Sequence, residues 1–115
     1  MTKRIVSIYC GNELLLTKVK LAGDFWQRAR GLMFYRDFPQ IEGVLLYPCN
    51  FIHMLWMRFP IDVIYLNRDH QVLFTVEVLV PHKLGPWIKS AYYVLEVPAG
   101  LVAIKKIKVG DRIEW

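Results

Sequence analysis

The chain has 115 residues, enough for one domain around one core, and its hydrophobic fraction of 55% with 14% aromatics excludes a disordered, solvent-expanded polymer. A net charge of +5 and a pI near 9.4 permit attraction to nucleic acid or anionic lipid. The basic residues read as dispersed, however: Lys3-Arg4, Lys18 and Lys20, Arg28 and Arg30, then Lys105, Lys106 and Lys108.

The predicted elements begin with alternation from Arg4 to Tyr9, a turn at Gly11-Asn12, and renewed alternation from Glu13 to Lys20, together an opening hairpin. Asp24 reads as an N-cap and Gly31 as a C-cap of a short helix carrying Phe25, Arg28 and Ala29. A loop runs through Pro39, and Gly43 opens an apolar strand, Val44 to Tyr47, that Pro48-Cys49-Asn50 breaks. Phe51 to Met57 then reads as a strand apolar on both faces, with Phe51, His53, Leu55 and Met57 on one side. After Arg58-Phe59-Pro60 the pattern resumes from Ile61 to Leu66. Asn67 to His70 is a turn, and Gln71 to Val80 alternates, predicting Val72, Phe74, Val76, Val78 and Val80 inward with Thr75 and Glu77 outward. Pro81 to Lys89 is a loop stiffened by two prolines and anchored by Trp87. Tyr92 to Val97 is a strand, Leu101 to Lys106 a helical turn, and Arg112 to Trp115 a last short strand. Seven or eight short strands with one or two short helices predict a mainly β single domain over residues 1–115, a β-sandwich or barrel-like fold.

The longest stretch without a charged residue, Gly43 to Met57, holds Pro48, Asn50 and His53 and is shorter than a membrane-spanning helix requires, so no membrane span is expected. The N-terminal residues lack the apolar core and cleavage site of a signal peptide, so the expected location is cytoplasmic. Cys10 and Cys49 form no Cys-x-x-Cys pair and are expected to be free.

Candidate chemistry concentrates in Phe51 to Leu66, a nearly continuous apolar run that admits His53, Arg58 and Asp62. Buried polar groups require partners, so this stretch is both structural heart and candidate site. Arg58 and Asp62 flank the bend at Pro60 and could close it as an arginine–carboxylate fork, or hold a small anion or peptide terminus if the fork opens on a cleft. Glu42 and Glu96 complete the polar set. Cys49 and His53 have a Cys-x-x-x-His spacing, but no four-ligand set can be drawn for zinc, and no metal or cofactor is expected. Neither Ser7 nor Ser90 lies in a nucleophile elbow, and no phosphate loop or dinucleotide fingerprint is present.

Four ordered segments resemble the DUF192 (UPF0127) family of uncharacterised small domains. Arg28-Ala-Arg-Gly-Leu-Met33 is similar to its Arg-x-x-Gly-Leu-Met segment, and Glu42-Gly43-Val-Leu-Leu46 to its Glu-Gly-Met-Leu-Phe strand. Ile52-His53-Met-Leu-Trp-Met57-Arg58-Phe-Pro60-Ile-Asp62-Val63 resembles the central block. Tyr93-Val-Leu-Glu96-Val-Pro-Ala99-Gly100, with Ile107-Lys-Val-Gly110-Asp111, resembles the closing one. Departures are Met54, where Thr is common, and His70, in a turn that usually holds Gly. The resemblance implies a mainly β fold and carries over no catalytic or cofactor residues.

The reading that follows is a non-catalytic module binding a peptide, protein or small ligand, a small anion included. The alternatives are a basic nucleic-acid-associated module, or an enzyme using His53 with Asp62 or Glu96 as acid and base, which requires that they share a cleft.

Overall fold

The computed structural model describes residues 5–23, 41–54 and 57–115; the helix expected from Asp24 to Gly31 lies outside them. Seven strands build one mixed sheet: β1 (Ile5–Cys10), β2 (Glu13–Ala22), β3 (Gly43–Leu46), β4 (Ile61–Leu66), β5 (Val72–Leu79), β6 (Tyr93–Pro98) and β7 (Ile113–Glu114). Among the described residues the single helix is α1 (Leu101–Lys105). The sheet order is β5-β4-β6-β3-β2-β1-β7, and every pairing is antiparallel except β2 with β3. The sheet curls into a half-barrel. Its two ends meet at one corner, where Gln71 bridges Arg112, Val72 donates its N–H to Asp111 and Ile113 donates to His70. The barrel-like alternative of the sequence reading is therefore the one realised.

Local chemistry explains most of these elements. The β1–β2 hairpin turns at Gly11, whose φ of +60° costs a glycine nothing. His70 takes the same left-handed region, closes its turn by donating to the Asn67 carbonyl, and stacks on Trp115 with ring centroids 3.7 Å apart. That stack, with Tyr93 edge-on to both rings, offsets the backbone cost that a glycine would avoid.

Cross-strand neighbours share a face, so the register sorts the residues into two cores. One fills the curl: Ile8, Leu16, Val19, Leu45, Ile64, Leu66, Val72, Leu95, Val97 and Ile113, with Val102 of α1 and Ile107 beyond it. The other covers the outside of β3, β4 and β6: Val44, Leu46, Val63, Tyr65 and Val94. Ile52, Met54 and Met57 roof this second core.

Two expectations fail. Phe51 to Met57 is not a continuous strand: residues 51–54 are irregular apart from one bridge, His53 to Leu84, and residues 55–56 lie outside the described set. The predicted inward face of β5 is also broken, because Phe74, Val78 and Val80 are exposed. Between Ile61 and Val63 the partner strand passes from Leu79 to Val76, so one residue of β4 faces two of β5. This is a bulge, with Val78 in it at φ +55°, and a second slip lies between Tyr65 and Leu66, whose partners are Phe74 and Val72; together they throw the alternation out of phase.

Candidate functional site

The structure does not bring the five polar candidates together. Asp62, at the centre of β4 opposite Val97, points into the curl and is fully buried. Among the described residues its partners are three backbone N–H groups. Oδ1 accepts from Val78 at 2.8 Å, and Oδ2 accepts from Gly100 at 3.0 Å and Val102 at 2.9 Å. The carboxylate thus fastens the β5 bulge and the start of α1, a helix with no acidic residue in its own first turn and no side-chain cap from Gly100. Arg58 is exposed, and the expected Arg58–Asp62 fork is not formed. The reason is geometric. Arg58 stands outside β4 and in water, whereas Asp62 lies within β4 and points inward, where the bulge delivers it an N–H.

Glu42 is spent on β2. Its Oε1 accepts from the Thr17 N–H at 2.6 Å, the Thr17 hydroxyl at 3.2 Å and the Lys18 N–H at 3.3 Å. The Thr17 N–H above all holds its carboxyl below the usual glutamate range. Glu96 is buried on the opposite face from Asp62, beside Val44 and Val63. It lies near Tyr65, whose phenol is pushed well above the ordinary tyrosine range by burial first and then by Cys49 and Glu96. Tyr65 donates its hydroxyl to the Pro86 carbonyl at 2.8 Å.

His53 sits in the layer that roofs this second face. Its bridge to Leu84 and the alternation around it put Ile52, Met54 and Gly85 inward, all buried, and Phe51 and Leu84 outward and exposed, with His53 on their side but half-buried. Among the described residues its Nδ1 is buried without a hydrogen-bond partner. Asp62 therefore lies on the far side of the sheet from His53, so that acid–base pairing lacks its shared cleft. Glu96 belongs to the sheet beneath the layer whose outward side carries His53. Among the described residues no three His, Cys, Asp or Glu side chains converge as a metal site, and neither cysteine is in a disulfide.

The folded chain displays instead a surface that the sequence reading scattered. The layer is a pair of segments tied by backbone bonds: Met54 N–H to Lys83, His82 N–H to Met54, Gly85 N–H to Ile52 and Ile88 N–H to Asn50. Its tips are apolar and in water: Trp87 is 68% exposed, Leu84 62% and Phe51 42%. Trp87, expected to anchor the loop, points out of it. Arg58, His82, Lys83 and Lys89 are exposed on the same two segments, and residues 47–61 and 80–95 contain no Asp or Glu. That absence of acid is the signal the sequence offered; only the backbone pairing of two distant segments turns it into one surface.

Comparison with known proteins agrees with this architecture. The DUF192 family model, Uncharacterized ACR, matches residues 8–115. A UPF0127 protein of Pyrococcus furiosus is 32% identical over 96% of this chain and 97% of its own length, and one of Pyrococcus abyssi is 36% identical over 85% and 86%. A crystal structure of a protein of unknown function from Novosphingobium aromaticivorans superposes with a TM-score of 0.83 at 27% identity, covering 98% of this chain and 85% of that one. A Sinorhizobium meliloti protein called a "putative transcription regulator" gives 0.78 at 29% identity over 98% and 93%. The chain belongs to the DUF192 (UPF0127) family of uncharacterised proteins.

Proposed function

We propose that this domain is a non-catalytic binding module, and that it meets a negatively charged peptide, protein or small ligand through the acid-free layer formed by residues 50–54 and 82–88. The observation that carries the reading is the exposure of Phe51, Leu84 and Trp87 on a hydrogen-bonded platform beside Lys83 and Lys89. A soluble protein leaves large apolar side chains grouped in water chiefly where something else covers them. The polar candidates support the same reading from the other side, because Asp62 and Glu42 are committed to backbone N–H groups that hold the sheet.

The name of the Sinorhizobium meliloti relative and the basic charge favour a second reading, a nucleic-acid-associated module. A salt titration against DNA and RNA tests it: phosphate contacts give a steep fall of affinity with salt.

Retention on heparin, a soluble polyanion, tests the first reading. The Lys83→Glu, Lys89→Glu variant should elute at clearly lower salt than the wild type. A Lys18→Glu, Lys106→Glu variant of equal net charge, altered at exposed positions outside the layer, should elute well after it. Coincident elution of the two variants would remove the layer from the argument.

A further inference from the structure

The geometry points to an anionic lipid surface as the partner of this layer, an inference that rests on the reading of the layer as the contact surface. A lipid headgroup is a small anion displayed above apolar chains, and the layer with its flanking residue exposes both kinds of partner, the apolar Phe51, Leu84 and Trp87 and the cationic Lys83 and Lys89. Leu84 and Trp87 straddle Gly85-Pro86, a point held from beneath. Pro86 accepts the Tyr65 hydroxyl, and Gly85 packs so closely that a Cβ there would stand 2.7 Å from that oxygen and 2.8 Å from Ile52 Cγ2. Tryptophan, with an apolar body and a polar N–H, is the side chain best suited to the boundary between headgroups and acyl chains.

The cations complete the match. Arg58, Lys83 and Lys89 are exposed, and no ion pair among the described residues engages them. At an anionic membrane each such side chain adds about fivefold to affinity. Single-stranded nucleic acid would use the cations and could stack on Trp87 and Phe51, but gives Leu84, among the most exposed tips, nothing to stack against. The lipid surface accounts for all three tips at once. No helix of the described residues is long and apolar enough to cross a membrane; the contact inferred is a peripheral one, made by side chains at the interface.

The test is co-sedimentation of the full chain with vesicles of phosphatidylcholine alone or with about one third phosphatidylserine, in about 0.1 M salt. The wild type should bind the anionic vesicles at least about tenfold more tightly than the neutral ones. Leu84→Ser, Trp87→Ser should lose most of that binding while keeping its retention on heparin, and Lys83→Glu, Lys89→Glu should lose both. Thermal melts confirm that each variant is folded. Equal binding to both vesicle types, or anionic binding that survives Leu84→Ser, Trp87→Ser, overturns the inference. Layer-dependent retention on heparin without vesicle binding overturns the lipid partner alone and leaves the binding module standing. Oligo(dT) binding that depends on the layer, again without vesicle binding, replaces lipid by nucleic acid. Loss of every layer-dependent signal overturns both readings.

Discussion

Asp62 Oδ2 accepts the N–H of Val102, 40 residues downstream, at 2.9 Å inside a fully buried environment. A strand side chain thereby caps a helix to which it is not adjacent in sequence, and the same carboxylate reaches back to Val78 in the neighbouring strand.

Replacing Asp62 by Ala should therefore strand three backbone donors at once. An unsatisfied buried donor such as that of Val102 costs about 1–3 kcal/mol and the part-buried donors of Val78 and Gly100 cost less, so Asp62→Ala should lose about 2–5 kcal/mol in urea denaturation. Arg58 plays no part in this clasp. The Arg58→Ala, Asp62→Ala double variant should match the sum of the singles within about 0.5 kcal/mol. A coupling well above that would restore the fork that the bend at Pro60 suggested.

Glu42 predicts a pH dependence. Its carboxyl is held below the ordinary range by donors from Thr17 and Lys18, so the folded state favours the charged form. That contribution is complete above the ordinary glutamate value of 4.5 and is lost as pH falls through the lowered folded value. Glu42→Gln should be less stable than the wild type at about pH 7, and the gap should close toward about pH 3. A gap independent of pH, read from melts across that range, would show that the bonds do not depend on the charge.

The Tyr65–Pro86 bond can be tested from both ends. Tyr65→Phe should cost about 1–2 kcal/mol by leaving the Pro86 carbonyl without its donor. Gly85→Ala should cost about 1–3 kcal/mol through its contact with the Tyr65 oxygen and Ile52. In the Tyr65→Phe background the Gly85→Ala penalty should shrink, because the 2.7 Å clash with the hydroxyl is gone. Burial raises the Tyr65 phenol, so its stabilisation is complete below the ordinary tyrosine value of 10.0 and is lost as pH rises beyond it. Alkaline melts of Tyr65→Phe should be correspondingly flatter.

The legible parts of this fold were those governed by neighbours in sequence. Gly11 announced the first hairpin, Ile61 to Leu66 its strand, and Leu101 to Lys106 the helical turn that is α1. The bulge at Val78 was not legible, because the alternation of Gln71 to Val80 is intact in sequence and is broken only by register against β4. The candidate site failed for a related reason. His53, Arg58 and Asp62 lie within ten residues, yet one is in a roof, one in water and one inside the curl, since only Asp62 stands in a strand and the other two lie before it, outside the sheet's strands. Asp62 was correctly expected to be buried and paired, but its donors are backbone groups, which no side-chain pattern reveals. Trp87 was misread as an anchor because exposed and buried aromatics look alike in a loop.

The sheet closes on itself through the two residues of β7 and one bridge, whereas β4 and β6 are joined along their whole length. Opening of a protein is rarely uniform, and its first breach falls where the fewest bonds must break. Here that place is the corner between Gln71 and Arg112, held by the backbone bonds of Val72, Gly110 and Ile113 and by the stacked rings of His70 and Trp115. Water that enters the inner core by partial unfolding would come in beside Ile113, well away from the Asp62 clasp. The molecule is thus a spring clip: permanently riveted at the helix, and latched at the far end by two flat rings.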